Sequence, residues 1–388
     1  VTDAVVAQTS LPSPQAAGAE IGAKVRAAMG GGSPDALILF ASAQYEYEPL
    51  LEAVQASCEP RLLVGCSSAG EFTSGRHGEG TASAIALRSA DLLMSAGLGR
   101  DLSRDRGAAA QAIVGSFQGQ QRGGYRYQSA LVLTDALAGF ADDLVEQLTR
   151  LTAGGCQFFG GGAGDDGRFS RTHVFLGTKA YTDTAVALEI LSNKPLGIGV
   201  RHGWKPAGAP LRVTESDGMR LVSLNAAPAA EAFEEHARAT GQAFDRAQPL
   251  PFFLHNILGI EAGGAYRLRV PLSVNPDGSV QCAAEVPEGA AVRIMGITGE
   301  DASEAAALAV ASALPRLEGQ RPKVALFFDC VATRLRMGRD FGFELEAVRT
   351  ALGDTPYAGF NTYGQIARAE GQFGGFHNCT AVVCVIPE

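Results

Sequence analysis

The residues able to do chemistry gather in short loops bounded by glycine. Gly65-Cys66-Ser67-Ser68-Ala69-Gly70 puts a thiol and two hydroxyls directly after an apolar run. A thiolate at Cys66, activated by loop amides and a base such as His77, would suit acyl transfer or thiol hydrolysis. A nucleophile elbow needs a helix after the turn, whereas this loop runs on into a second strand-like stretch. Gly162-Ala163-Gly164-Asp165-Asp166-Gly167 has the spacing of a dinucleotide fingerprint. Its two carboxylates repel phosphate, no lysine follows to make a Walker loop, and residues 168–176 read as strand rather than helix. Nucleotide binding is therefore not expected. Gly359-Phe360-Asn361-Thr362-Tyr363-Gly364 is a third such loop.

The histidines are His77, His173, His202, His236, His255 and His377. None forms the paired spacing, with a third ligand, of a zinc enzyme. A single histidine can hold haem, which makes His202, His255 or His377 the candidate axial ligands. The competing reading for each is a hydrogen-bonded structural histidine. His236 is expected on a solvated helix face.

Three repeated segments position the loops. Residues 36–42, 130–135 and 324–329 are short apolar runs of the kind found in strands buried on both faces. Amphipathic helices follow at 47–56, 141–151 and 343–352, with Leu50, Leu51, Val54 and Phe343, Leu345, Val348, Leu352 on apolar faces. Second short runs then lead into the three loops. This is the β-α-β plan. Further strands are expected at 81–87, 172–176, 185–190 and 380–386. Residues 211–224 read as a hairpin turning at Asp217-Gly218. Residues 228–240 and 300–314 read as helices, and 266–294 as a β meander. The fold expected is α/β, with repeated β-α-β units in two modules, mixed sheets and an antiparallel meander in the second. The modules are placed at 21–208 and 209–388, behind a loose leader at 1–20. Ligands of open α/β sheets bind beyond the carboxyl ends of strands, so like-oriented repeats would let the three loops line one pocket.

The chain has 388 residues, 46% hydrophobic and 19% charged. That is a globular composition with ample core material. The formal charge is −9, and no Lys/Arg run forms the basic stripe of a nucleic-acid binder. No stretch reaches the roughly 18 apolar residues that span a bilayer. Residues 1–20 do not read as a signal peptide. Seven widely spaced cysteines without a C-x-x-C pair are neither a disulfide framework nor a zinc knuckle, and they fit a cytoplasmic protein best.

Five motifs in order resemble the FIST family of sensory proteins. They are Gly65-Cys66-Ser67-Ser68-Ala69-Gly70-Glu71-Phe72, Phe159-Gly160-Gly161-Gly162-Ala163-Gly164-Asp165, Val200-Arg201-His202-Gly203-Trp204-Lys205-Pro206, the loop Gly359 to Gly364 with Gln365 and Ile366, and Phe376-His377-Asn378-Cys379-Thr380. The resemblance implies a small-ligand sensor, and no catalytic activity is expected of it. It would regulate a separate histidine kinase or cyclic-di-GMP enzyme. One branch, the NosP type, binds haem and senses nitric oxide. The ligand set expected at the strand-end loops and these motifs is Gly65, Cys66, Ser67, Ser68, Gly70, Gly161, Gly162, Asp165, Asn361, Thr362, Tyr363, Gln365, His377 and Asn378. Gln365 stands where the family usually has Glu, and Cys379 where it has Gln. The lost carboxylate would change the charge of the preferred ligand. A small-molecule ligand and a signalling enzyme are the partners expected, a homodimer stays open, and neither nucleic acid nor membrane insertion is expected.

Overall fold

Three copies of one plan follow each other along the chain: edge strand, helix, first strand, helix, second strand, two-stranded arm, third strand. The computed structural model describes every residue except 75, 120, 122 and 370–374. Unit one runs Thr2–Thr9, Pro14–Ala28, Ala36–Ser42, Tyr47–Cys58, Leu62–Ser68, the arm Glu71–Thr73 with Arg76–Gly78, and Ala82–Ser89. Unit two runs Leu92–Arg100, Arg106–Gly115, Tyr127–Thr134, Ala141–Leu151, Cys156–Gly162, the arm Val174–Leu176 with Lys179–Tyr181, and Thr184–Ser192. Unit three runs Gly197–Arg201, Gly299–Ala313, Pro322–Cys330, Phe341–Leu352, Tyr357–Thr362, the arm Gln365–Arg368 with Gly375–His377, and Ala381–Pro387. Residues 202–298 are a β-rich lobe with an antiparallel sheet, inserted between the edge strand and first helix of unit three.

Within each unit the first and second strands pair in parallel, and the third strand returns antiparallel. The arm leaves. Unit one's arm pairs with Tyr357–Thr362 of unit three, unit two's with Leu62–Ser68 of unit one, and unit three's with Cys156–Gly162 of unit two. The exchange is cyclic and closes on itself. Inward residues of the three sheets, including Ile38, Phe40, Leu131, Leu133, Leu326 and Phe328, form one central core. The alternate residues Leu37, Val132 and Phe327 face each unit's own helices. Both faces are therefore buried, as the unbroken apolar runs require. Two helix starts are capped by the residue before them: Ser13 accepts from the Ala16 N–H at 3.3 Å and Asp105 from the Ala108 N–H at 2.9 Å.

Several expectations change. Residues 1–20 are not a loose leader. Thr2–Thr9 pairs with Ala82–Ser89 along its whole length, and Pro14–Ala28 buries Ala17, Ile21 and Val25. Much of that helix's buried face is Ala and Gly, which gives little periodic signal. The cut at 208/209 runs through unit three, because Gly197–Arg201 pairs with Ala381–Pro387. Phe343 is 67% exposed. Phe341 takes the core position beside Leu345, Val348 and Leu352. His236 is buried and bonded to Asn256 Oδ1 at 3.1 Å.

Candidate functional site

Strand register makes the three loops equivalent. Gly65 lies opposite Leu39, Gly160 opposite Val132 and Gly359 opposite Phe327. A Cβ there would lie 2.0, 2.1 and 1.7 Å from the carbonyl oxygens of those partners, so only glycine fits. The loops then meet at the centre and bond to one another. Ala69 N–H donates to Asn361 O at 3.0 Å, and Asn361 N–H to Gly70 O at 2.8 Å. Gly164 N–H donates to Ser67 O at 2.9 Å, and Tyr363 N–H to Gly162 O at 3.0 Å. The sequence reading is right that the loops converge. Their backbones nevertheless satisfy each other, so the centre is a closed knot of peptide groups.

Most of the expected ligand residues serve this knot. Ser67 accepts from the His173 N–H at 2.9 Å and holds unit two's arm. Ser68 donates to the Glu71 carboxyl, which also accepts from the Thr81 hydroxyl at 2.6 Å. Gln365 donates from Nε2 to Thr362 and accepts from the Thr380 N–H at 3.2 Å. Gly70 carries a left-handed φ of 130°. Gly161 pairs with Gln365, where a Cβ would lie 2.8 Å from a Thr362 methyl. The Asp165 carboxylate accepts from the N–H groups of Phe169, Ser170 and Arg171 at 2.7–2.8 Å and from the Tyr363 hydroxyl. Burial works against its charge, but the Tyr363 hydroxyl and these amides hold its carboxyl below the usual range. The Gly162 to Gly167 loop thus binds its own aspartate.

Space opens beside the knot. A cavity of about 70 Å³ lies where three bodies meet. Unit two contributes Ala136, Leu137 and Phe169; the lobe contributes Val270, Leu272 and Ala283; unit three contributes Cys330, Val331, Ala332, Tyr363 and Asn378. The Phe169 ring stacks on Tyr363 with centroids 4.3 Å apart. Asn378 Oδ1 accepts from the Val270 N–H at 3.3 Å and ties the lobe to unit three. Of the expected set, only Tyr363 and Asn378 line this space. Phe169, the lobe residues and Cys330 were missed. For Cys330 a signal existed: it follows the last apolar run at the offset of Ser42 and Asp135 in the first two.

Cys66 is fully buried in the central core, where burial first and the Glu71 carboxyl second push its thiol well above the ordinary range. Cys330 receives hydrogen bonds from the Cys379 thiol, the N–H groups of Cys379 and Ala332, and the Gln365 side chain. The Cys379 thiol leads, and together these donors outweigh burial and bring Cys330 down to about 7. Behind it, burial pushes up the carboxyls of Asp329 and Glu344, the latter to about 8.

The three histidines offered for haem sit apart from the cavity. His202 Nε2 is bonded to the Tyr266 carbonyl at 3.0 Å. His255 is exposed. His377 is 2% exposed, with its proton affinity lowered to about 3, first by burial and then by Arg267. None lines the 70 Å³ space. Among the described residues no cluster of three or more His, Cys, Asp or Glu could hold a metal ion. No helix among them is long and apolar enough to cross a membrane.

Residues 35–227 match the FIST N domain and residues 229–368 the FIST C domain. Their junction falls inside the lobe. The chain is 26% identical over 388 residues to the uncharacterized protein Rv0628c of Mycobacterium tuberculosis, covering 97% of each. It is 24% identical over 382 residues to the uncharacterized protein Mb0898c of Mycobacterium bovis, covering 95% of each. A solved cyanuric acid hydrolase from A. caulinodans aligns at 8% identity and a TM-score of 0.32, covering 100% of this chain and 99% of that one. So low a score assigns nothing to this chain. FIST domains are small-ligand sensory domains of signal transduction. With both domain matches in tandem, the chain belongs to the FIST family.

Proposed function

We propose that this protein senses a small, mostly apolar molecule in the cavity beside Tyr363 and Asn378, without catalysing a reaction on it. It passes occupancy to a separate signalling enzyme, a histidine kinase or a cyclic-di-GMP enzyme. The observation that carries this reading is the cavity's position: unit two, unit three and the lobe each supply a wall. A ligand there contacts all three bodies, so its affinity differs between arrangements of them, which is the condition for shifting a conformational equilibrium. Size narrows the ligand. A dry cavity of about 150 Å³ holds a benzene, so 70 Å³ admits only a few heavy atoms before the lobe must move. Asn378 supplies a side-chain amide for one polar group. Haem has no part in this reading, because the candidate histidines stand away from the space.

The test is a thermal-shift screen against small metabolites, repeated on Ala283→Phe, which fills the cavity. A ligand at one hundred times its Kd adds about 2.7 kcal/mol. The expected result is a stabilising hit that Ala283→Phe abolishes. A hit retained at full strength in that variant moves the binding site elsewhere and defeats the assignment.

A further inference from the structure

The three units place different residues at one post, and the difference in unit three is chemical. Ser42, Asp135 and Cys330 each lie three residues beyond the residue facing the buried glycine. Each caps the turn that follows: Ser42 Oγ accepts from the Gln44 N–H at 3.1 Å, Asp135 Oδ1 from the Leu137 N–H at 3.1 Å, and the Cys330 sulfur from the Ala332 N–H. A second match lies in the turn that enters the third strand. Gly80, Asp183 and Cys379 hold equivalent places, and all have left-handed φ, at 71°, 49° and 49°. Asp183 N–H donates to Asp135 Oδ2 at 2.7 Å, and Cys379 N–H donates to Cys330 sulfur. The sulfur of Cys330 therefore occupies the post of a carboxylate, with the same two backbone donors. Gln365 and the Cys379 thiol add two more.

We propose that Cys330, on the wall of the cavity, and Cys379, packed in the same cluster behind it, form a peroxide-reactive thiol pair, with Cys330 attacking and Cys379 resolving. The Cys330 thiolate attacks one peroxide oxygen. An S–O bond forms, the O–O bond breaks, and the departing alkoxide or hydroxide takes a proton from solvent. The Cys379 sulfur then attacks the Cys330 sulfenic acid. An S–S bond forms, the S–O bond breaks, and the oxygen leaves as water with the Cys379 proton. Two thiols and one hydroperoxide give one disulfide, one alcohol or water, and one water; the peroxide takes both electrons. Cys330 borders the cavity, which is roomy enough for hydrogen peroxide. The charged groups facing the pair are Asp329 beside it on the strand, Arg336 on the helix that follows, and Glu344 on the next helix. The other thiols are built differently. Burial raises Cys58, Cys66, Cys156, Cys282 and Cys384.

The intact protein is exposed to hydrogen peroxide, unfolded in iodoacetamide and mapped by mass spectrometry. The expected product is a Cys330–Cys379 linked peptide two hydrogens lighter than the pair, with the other five cysteines alkylated. In Cys379→Ser the sulfenic acid at Cys330 persists and is trapped by dimedone. In the untreated protein at pH 7, Cys330 alkylates at least about tenfold faster than Cys384, as thiolate character dictates. Equal alkylation of the two, or peroxide treatment yielding neither linked peptide nor dimedone adduct, overturns the proposal. The thermal-shift screen above reads ligand binding separately, so either idea can fail alone.

Discussion

Units one and three solve the same packing problem with different protonation chemistry. Glu71 opposes Phe360 and Gln365 opposes Gly161, which are matching positions in the ring. Each reaches back to a hydroxyl three residues earlier, Ser68 or Thr362, and to the threonine before the third strand, Thr81 or Thr380. Gln365 does this neutrally. Burial pushes the Glu71 carboxyl up to about 8, even though Ser68 and Thr81 favour its charged form. Unit two has Val174 at this position, opposite Cys66, with Ala163 in place of the hydroxyl. Polar partner and polar post come and go together, as buried hydrogen-bonding groups must. The post therefore fixes how an arm seats, and it tolerates any chemistry that leaves no atom unsatisfied.

The hardest test of the equivalence is Gly359→Ala, with Gly65→Ala and Gly160→Ala beside it. Each drives a methyl into a partner carbonyl, with an expected cost of about 3 kcal/mol or more in urea unfolding. One neutral variant among the three would break the symmetry. Asp135→Ala comes next. It strips the acceptor from the N–H groups of Leu137 and Asp183 and from the Thr172 hydroxyl, and should cost about 2–3 kcal/mol. Ser42→Ala should cost about 1 kcal/mol.

Glu71→Gln copies unit three into unit one. A carboxyl raised in the fold is favoured there in its neutral form. Its stabilisation holds below the usual value of 4.5, fades as pH rises toward about 8, and is gone above that. The variant should therefore gain about 4 kcal/mol over the parent at pH 8.5 and under about 1 kcal/mol at pH 5. A gain of equal size at both pH values would sink this explanation. Phe169→Ala sharpens the picture least. Loss of the Tyr363 stack should cost about 1 kcal/mol while enlarging the cavity, read by unfolding and by ligand titration.

The repeated strand–helix–strand core was legible because buried runs such as Ala36–Ser42 and helices such as Ala141–Leu151 carry clear periodicity. Convergence of the loops followed from that repetition. The destination of the arms did not: Val174–Leu176 looks the same in sequence whether it pairs at home or with unit one. The first helix was hidden by its Ala and Gly face. Of the cavity's lining, Tyr363 and Asn378 had been singled out through motif position, whereas Val270 and Ala283 arrive from an insertion whose docking no local pattern encodes. Cys66 drew attention through its glycine-rich setting, but reactivity depends on the donors around a sulfur. Those around Cys330 come from residues 332, 365 and 379, far apart along the chain.

The cyclic exchange of arms also sets a timetable for biosynthesis. The arm Glu71–Thr73 with Arg76–Gly78 leaves the ribosome early, yet its docking strand Tyr357–Thr362 is made about 280 residues later. At about 5–20 residues per second, that is roughly 15–60 seconds of waiting. Until then, unit one's arm is an unpaired hairpin, and unit two's second strand lacks its neighbour as well. Unpaired strand edges invite association with other chains. The nascent protein therefore exposes these edges while it waits, and truncation anywhere before residue 357 leaves the ring open rather than merely shorter.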